Sequence, residues 1–229
     1  MKEIKVKDII KICNANLICG NEEEILENYK KDTREIENGD VYIGIKGEKF
    51  NGNTFFETAF EKGAKACILQ DIEIDEKTLK KYQDKIIIIV KDSVEALQKI
   101  AEYKRKEYNI PVIGVTGSVG KTSTKDILAS VMSKKYKTLK TEGNYNNHIG
   151  VPLTILKLKD HEAAVIEMGM NHLGEISKLT KIARPTMSVI TNIGTSHIGE
   201  LGSRENILKA KLEILEGMEE NAPIVINND

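Results

Sequence analysis

Residues 112–125 read VIGVTGSVGKTSTK, and the reading of this stretch decides the fold of the second half of the chain. The β-branched run Val112-Ile113-Gly114-Val115-Thr116 has the texture of a buried strand. It breaks at Gly117-Ser118-Val119-Gly120, and Lys121-Thr122-Ser123 open a helical pattern. Strand, glycine-spaced turn and helix N-terminus in that order predict a phosphate-binding loop. Glycines let successive backbone amides turn inward, and the helix start adds unpaired donors and a favourable dipole. Gly117, Ser118, Val119, Gly120, Lys121, Thr122 and Ser123 are therefore the candidate nucleotide-binding residues. Lys121 is placed to reach the outer phosphates and the Thr122 hydroxyl to ligate Mg²⁺. The common pattern has a glycine six residues before the lysine; here Val115 holds that position, flanked by Gly114 and Gly117. A plain strand–turn–helix junction would share the small residues. The G-K-T triplet between strand and helix favours the phosphate reading.

Downstream the pattern alternates regularly. Strand 112–116 leads to helix 121–135, strand 136–141, a loop at 142–151, helix 152–158, strand 163–168, helix 174–183, strand 187–193, helix 204–218 and strand 223–227. Apolar strands alternating with helices predict a parallel sheet covered on both faces, with ligands at the carboxyl ends of the strands. Upstream, short helices (6–15, 54–62) mix with short strands (41–46, 65–69, 85–90). Ser93 reads as the N-cap of a helix running to about residue 108, with Val94, Leu97, Ile100 and Ala101 at helical spacing. Asn109-Ile110-Pro111 then punctuates the chain. The expected class is α/β: a small mixed α/β domain over 1–108, followed by a P-loop parallel-sheet domain over 109–229.

Bulk properties narrow the function. The 229 residues are 40% hydrophobic and 30% charged, as in a soluble globular protein. Lys+Arg 34 against Asp+Glu 35 leaves a formal charge of −1, which argues against a broad nucleic-acid surface but not against a local anion site. The longest apolar run, 86–90, is too short to span a membrane, and MKEIKVKDII lacks the apolar core of a signal peptide. Cys13, Cys19 and Cys67 form no C-x-x-C pair, so they read as buried or incidental thiols of a cytoplasmic protein.

Other residues stand where chemistry is done. Glu167 ends the run Ala163-Ala164-Val165-Ile166, a strand-end carboxylate positioned to hold Mg²⁺ or to sit half-exposed. His197, in the loop Thr195-Ser196-His197-Ile198-Gly199-Glu200, reads as a metal ligand, an acid/base or a plain loop histidine. Asn144, Asn146 and Asn147 read as turn residues or as donors to substrate oxygens. Asn171 and His172 read as turn and helix-start residues more than as a catalytic pair, with Asn171 still able to face the site. Lys211 has Ile207, Leu208, Ile214 and Leu215 at i−4, i−3, i+3 and i+4, which aims it along a buried stripe. Its stem either snorkels to water or holds a reactive, partly neutral or modified amine. Thr33 and Arg34, near Gly39-Asp40 and the Gly47–Asn53 turn, read as surface turns or a second phosphate-group site.

Taken together, GVTGSVGKTSTK, TEGNYNNHIGVPLTIL, AAVIEMGMNHLGEI, TNIGTSHIGELGSRENILKAKLEI and VINND resemble the Mur ligases, which build the peptide of bacterial peptidoglycan. The GN-x-NN-x-IGVPLT and E-x-G-x-N-x-x-GEI forms are most similar to the F-type branch. The early DTR…GDVYIGIKG…NGNTFFETAFEKGAKACI block resembles the family's UDP-binding domain. The resemblance implies an ATP-dependent amide ligase that activates a carboxylate as an acyl phosphate for attack by an amine, with UDP-N-acetylmuramoyl-tripeptide and D-alanyl-D-alanine as its substrates. It implies ATP and Mg²⁺ at Lys121 and Thr122, with Glu167 and His197 as metal ligands and Asn147 near substrate and metal. By the same resemblance Lys211 is a carbamylated lysine bridging to a second Mg²⁺, and Thr33 and Arg34 meet the UDP-sugar. Mur ligases are about twice this length, so the resemblance also implies a front-half fragment, inactive alone, with the amine held by the missing half. A folylpolyglutamate synthase-like ligase and a non-catalytic nucleotide-binding module stay open as alternatives. A signalling GTPase is disfavoured by the lack of an N-K-x-D motif.

Overall fold

The β-branched runs of the sequence become the central strands of two sheets, one in each of two units, Met1–Lys104 and Arg105–Asp229. The computed structural model describes residues 3–48 and 50–228; Lys49 in the Gly47–Asn53 turn and Asp229 of VINND lie outside the described residues.

In the first unit, α1 (Val6–Cys13) stops at Asn14, whose left-handed φ of 50° turns the chain into β1 (Asn16–Cys19). There follow β2 (Tyr29–Lys30), β3 (Val41–Ile43), α2 (Phe56–Glu61), β4 (Ala66–Leu69), α3 (Glu76–Lys81), β5 (Ile86–Ile89) and α4 (Ser93–Lys106). The sheet order is β1-β5-β4-β3-β2, parallel except where β1 pairs antiparallel with β5. Every residue of β3 and β4 is buried, as expected for strands covered on both faces.

Three expectations are corrected here. The strand expected over 41–46 ends at Ile43, because Gly44 must lie against Asn53, whose fully buried carboxamide accepts from the Gln70 amide (2.9 Å). The helix expected over 54–62 opens as a 3₁₀ turn at Gly52–Phe55 and is α-helical only over Phe56–Glu61. Asp92, not Ser93, caps α4: its carboxylate accepts from the Glu95 amide at 2.8 Å, while the Ser93 hydroxyl is buried without a partner. β1, β2 and α3 are too short, or too weakly periodic, to be read from sequence.

The second unit is built from β6 (Val112–Thr116), α5 (Lys121–Met132), β7 (Thr138–Lys140), α6 (Gly150–Leu156), β8 (Ala163–Glu167), α7 (Glu175–Ala183), β9 (Met187–Ile190), α8 (Ile198–Leu201), α9 (Arg204–Leu212) and β10 (Ile224–Ile226). Its sheet runs β10-β9-β6-β8-β7 and all four pairings are parallel. β6 and β8 are buried at every residue. Ile113, Val115, Ala129 and Val165 pack one face of this sheet. On the other face Gly114 leaves room for Pro185 and Ile214, where a Cβ would stand 3.0 and 3.2 Å away. α7 ends at Arg184, left-handed at φ 46°, where the following Pro185 disfavours continued helix.

Here too the boundaries move for local reasons. α6 starts two residues earlier than expected because Asn147 caps it, its Oδ1 accepting from the amides of Ile149 (3.1 Å) and Gly150 (2.9 Å). β9 stops at Ile190, three residues short, because Thr191 and Asn192 turn toward the phosphate loop. The helix expected over 204–218 ends at Leu212 and tightens into a 3₁₀ turn at Glu213–Gly217. That turn is docked on α7: the Glu213 carboxylate accepts from the amides of Gly174 (2.6 Å) and Ser177 (3.1 Å), and the Thr180 hydroxyl donates to the Ile214 carbonyl (2.7 Å). Glu213 thereby serves as the acceptor that the first turn of α7 otherwise lacks.

A side chain at Gly217 would meet the Thr180 carbonyl oxygen at 2.3 Å, a backbone atom that cannot give way. Gly217→Ala is therefore expected to lower stability by more than about 2 kcal/mol in urea titration, through lost docking of this turn on α7. A loss under about 0.5 kcal/mol, the range of an ordinary surface substitution, would contradict this packing.

Candidate functional site

The site forms where β6 and β8, adjacent in the sheet, end side by side. β6 runs into the loop 117–120. Gly117 has φ +150°, and a Cβ there would stand 1.9 Å from Thr191 Oγ1, so no other residue fits. Gly120 has φ +80° and leads into α5. Lys121 Nζ donates to the Gly117 carbonyl (2.9 Å), which folds the side chain back across the loop. Burial lowers its pKa, while the Glu167 charge acts to raise it.

Glu167, the last residue of β8, has 1% of its surface exposed. Its amide donates to Thr141 Oγ1 (2.9 Å). Its carboxylate is held at both oxygens: Oε2 accepts from the Thr122 hydroxyl (3.0 Å) and Oε1 from Asn146 Nδ2 (2.8 Å). A carboxylate and a hydroxyl in contact beside a cradle of amides make a hard oxygen set of the kind Mg²⁺ takes together with phosphate oxygens. Among the described residues no three His, Cys, Asp or Glu side chains cluster as a metal site.

Lys211 lies on α9 with 2% of its surface exposed. Burial, and secondarily the Lys121 ammonium, lower its pKa to about 8. Among the described residues its amine has no hydrogen-bond or ion-pair partner. His197 begins α8 in the left-handed region at φ 65°, a conformation costing a non-glycine residue of order 1 kcal/mol. Its loop is bonded to the phosphate loop through Ser118.

Asn147 is exposed and its carboxamide oxygen caps α6; the asparagine that touches the carboxylate is Asn146. Thr33 and Arg34 lie in a 3₁₀ turn of the first unit, Thr33–Glu35, where Arg34 pairs with Asp32 (2.6 Å) and holds its carboxyl well below the usual range. Cys13, Cys19 and Cys67 are unpaired, with thiols pushed up by burial and so kept unreactive. The sequence pattern does not single out Thr141, Thr191 or Asn192 and does not separate Asn146 from Asn147; only the family resemblance names Asn147. Gly169, where a Cβ would meet the Asn146 carboxamide at 3.1 Å, is the one trace of Asn146's position. No helix among the described residues is long and apolar enough to cross a membrane.

Comparison with known proteins finds relatives that share this fold. The sequence model of the Mur ligase middle domain matches residues 115–229, and that of the Mur ligase family catalytic domain matches residues 27–105. The UDP-N-acetylmuramoyl-tripeptide--D-alanyl-D-alanine ligase of Bacillus subtilis is 44% identical over 209 residues, covering 91% of this chain and 45% of that protein. The Escherichia coli protein of the same name is 36% identical, covering 89% of this chain and 44% of that protein. The crystal structure of MurF from Acinetobacter baumannii superposes with a TM-score of 0.86 at 31% identity, over 100% of this chain and 49% of that one. That of MurF ligase from Thermotoga maritima in complex with ADP gives 0.78 at 36% identity, over 89% and 46%. The chain thus spans about half the length of the curated relatives it matches.

The isolated amine of Lys211 has a consequence for stability. Its folded pKa of about 8 lies below the ordinary 10.5. The penalty of burying the ammonium is present in full below pH 8 and is relieved as pH rises from about 8 to 10.5, where the unfolded chain holds the proton and the folded chain does not. In bicarbonate-free, metal-free buffer, Lys211→Met is expected to raise stability at pH 7 by about 1–3 kcal/mol. It should also flatten the rise between pH 8 and 10.5 in denaturant titrations. A variant less stable than the parent at pH 7, with an unchanged pH profile, would show that the ammonium is well solvated.

Proposed function

This chain belongs to the Mur ligase family, and we propose that it carries the UDP-sugar-binding and ATP-binding parts of a ligase that adds D-alanyl-D-alanine to UDP-N-acetylmuramoyl-tripeptide. The observation that carries the reading is the Thr122–Glu167 hydrogen bond set beneath the glycine cradle of residues 117–120. The residues present fit Mg-ATP: glycines required by φ and by space, a lysine folded over the loop, and two hard oxygen donors in contact. When bound, ATP supplies the phosphoryl group that activates the tripeptide carboxylate as an acyl phosphate for attack by the amine of D-alanyl-D-alanine.

The chain's own residues take these parts. The amides at the start of α5 bind phosphate oxygens, and Lys121 swings from the Gly117 carbonyl to the outer phosphates. Thr122 and Glu167 hold Mg²⁺, with Asn146 fixing the rotamer of the carboxylate and His197 as a further ligand. Lys211 needs an anionic partner. With its pKa lowered to about 8, part of the amine is neutral near physiological pH; its nitrogen would add to CO₂ with loss of one proton to solvent, and the resulting carbamate would supply an anionic oxygen suited to a second Mg²⁺. Thr33 and Arg34 serve the UDP-sugar and Asn147 the substrate side. The match of residues 27–105 to the Mur ligase family catalytic-domain model, in addition to the middle-domain match, favours this reading over a folate ligase or a bare nucleotide module. The setting is the cytoplasm, without nucleic-acid or membrane partners. The amine-binding site lies in the half of the relatives that this chain does not span.

Titration calorimetry with Mg-ADP tests the phosphate site. Lys121→Ala is expected to weaken binding at least about tenfold, the loss of one charge-assisted contact. Equal affinity in variant and parent would remove the loop as the phosphate site. A phosphate-release assay with UDP-N-acetylmuramoyl-tripeptide and D-alanyl-D-alanine tests the reaction, with product identified by mass spectrometry. No pentapeptide product is expected from the 229-residue chain alone, and product is expected when the second half of the Bacillus subtilis relative is supplied in trans. Sustained turnover by the chain alone would overturn the placement of the amine site.

A further inference from the structure

The loop after β9 does more than carry His197: it engages every backbone polar group of Ser118 and Val119. The Ser118 amide donates to the Asn192 carbonyl (3.2 Å) and to Asn192 Oδ1 (3.1 Å), and the Val119 amide donates to the same Oδ1 (3.0 Å). In return, the Thr191 hydroxyl donates to the Val119 carbonyl (2.6 Å) and the Ser196 hydroxyl to the Ser118 carbonyl (3.3 Å). The Gly194 amide donates to Ser118 Oγ (2.9 Å). From α9, the helix that bears Lys211, Arg204 donates to the Ile193 carbonyl (2.9 Å).

We infer that Asn192 is a positioning residue: its carboxamide fixes the first half of the phosphate loop to the loop bearing His197, leaving the amides of Gly120, Lys121 and Thr122 for phosphate oxygens. The inference rests on reading 117–122 as a phosphate site. A loop that must present amides inward loses binding free energy if it has to be ordered by the ligand, and two glycines make that cost large. One carboxamide oxygen has two lone pairs and meets two successive amides without placing a negative charge beside the phosphates. Aspartate would make the same two bonds but repel the anion. The amides left over, at the start of α5, have no intrahelical acceptor. Because the same bonds run from Ser118 to residues 192–196, phosphate occupancy and the placement of His197 are mechanically linked.

Residue-resolved amide exchange on the 229-residue chain, followed by Mg-ADP titration, tests this. In the free parent, the Ser118 and Val119 amides should exchange more slowly than those of Gly120 and Lys121. Asn192→Ala should speed Val119 exchange about fivefold to tenfold, the worth of one hydrogen bond, while Val115 in the sheet is unchanged and so reports an intact fold. Asn192→Asp should keep the protection. With Mg-ADP, both variants should bind about fivefold to tenfold more weakly, the alanine through a loosened loop and the aspartate through charge. The His197 ring resonances should move on binding in the parent and much less in Asn192→Ala. Unchanged Val119 exchange in Asn192→Ala, or tighter ADP binding, would overturn the inference; the latter would make Asn192 a plug that phosphate displaces. A parent that binds no Mg-ADP would remove the phosphate reading, and the exchange comparison would still show whether Asn192 orders the loop.

Discussion

A hydrogen bond of 3.0 Å between the Thr122 hydroxyl and Glu167 Oε2 joins the two halves of the candidate site, and the rest of the second unit is arranged to permit it. Thr122 stands at the start of α5 because β6 must turn through Gly117 and Gly120 to reach that helix. Glu167 stands opposite because β8 is the neighbour of β6 in a parallel sheet, so both strands end at the same edge. Asn146 and Thr141, from the segment after β7, lock the carboxylate and its backbone from the far side. Shifting β8 by a single residue would point the carboxylate into the opposite face of the sheet.

The electrostatics follow from the same packing. The Lys121 ammonium lies close enough to Lys211 to lower that residue's tendency to stay charged, while Glu167 is the anion that acts on Lys121. Burial adds to the penalty on both amines. Two lysine amines are thus answered by one carboxylate, in a place walled by buried strands. Anionic groups entering there meet unpaired amides, a helix dipole and under-compensated cations, which act in one direction.

Much of this arrangement is legible in the sequence alone. The β-branched run leading to G-K-T, the strand-end Glu167 and the burial of Lys211 each follow from periodicity and local chemistry; of the four apolar neighbours of Lys211, however, only Ile207 and Ile214 are buried, while Leu208 and Leu215 are exposed. What is not legible depends on contacts distant in sequence. Asn146 and Asn147 are alike as letters. Only the geometry of the turn leading into α6 sends one to Glu167 and spends the other on a helix cap. Asn192 is some seventy residues from the loop it holds, and the truncation of β9 that frees it has no periodic signature. Likewise the 3₁₀ turn at Glu213–Gly217 reflects docking on α7, an interaction that helix propensity cannot anticipate.

The proposed site unites Thr122, Glu167 and the phosphate loop around one cation and one phosphate group. The most direct measurement is a crystal structure of this chain grown with Mg²⁺ and ADP. The expected result is a phosphate group on the amides of Gly120, Lys121 and Thr122, with Mg²⁺ about 2.0–2.1 Å from Thr122 Oγ1 and bound to Glu167 directly or through one water. A diphosphate bound elsewhere, or one bound at the loop with the Thr122–Glu167 hydrogen bond intact and no cation between them, would contradict it.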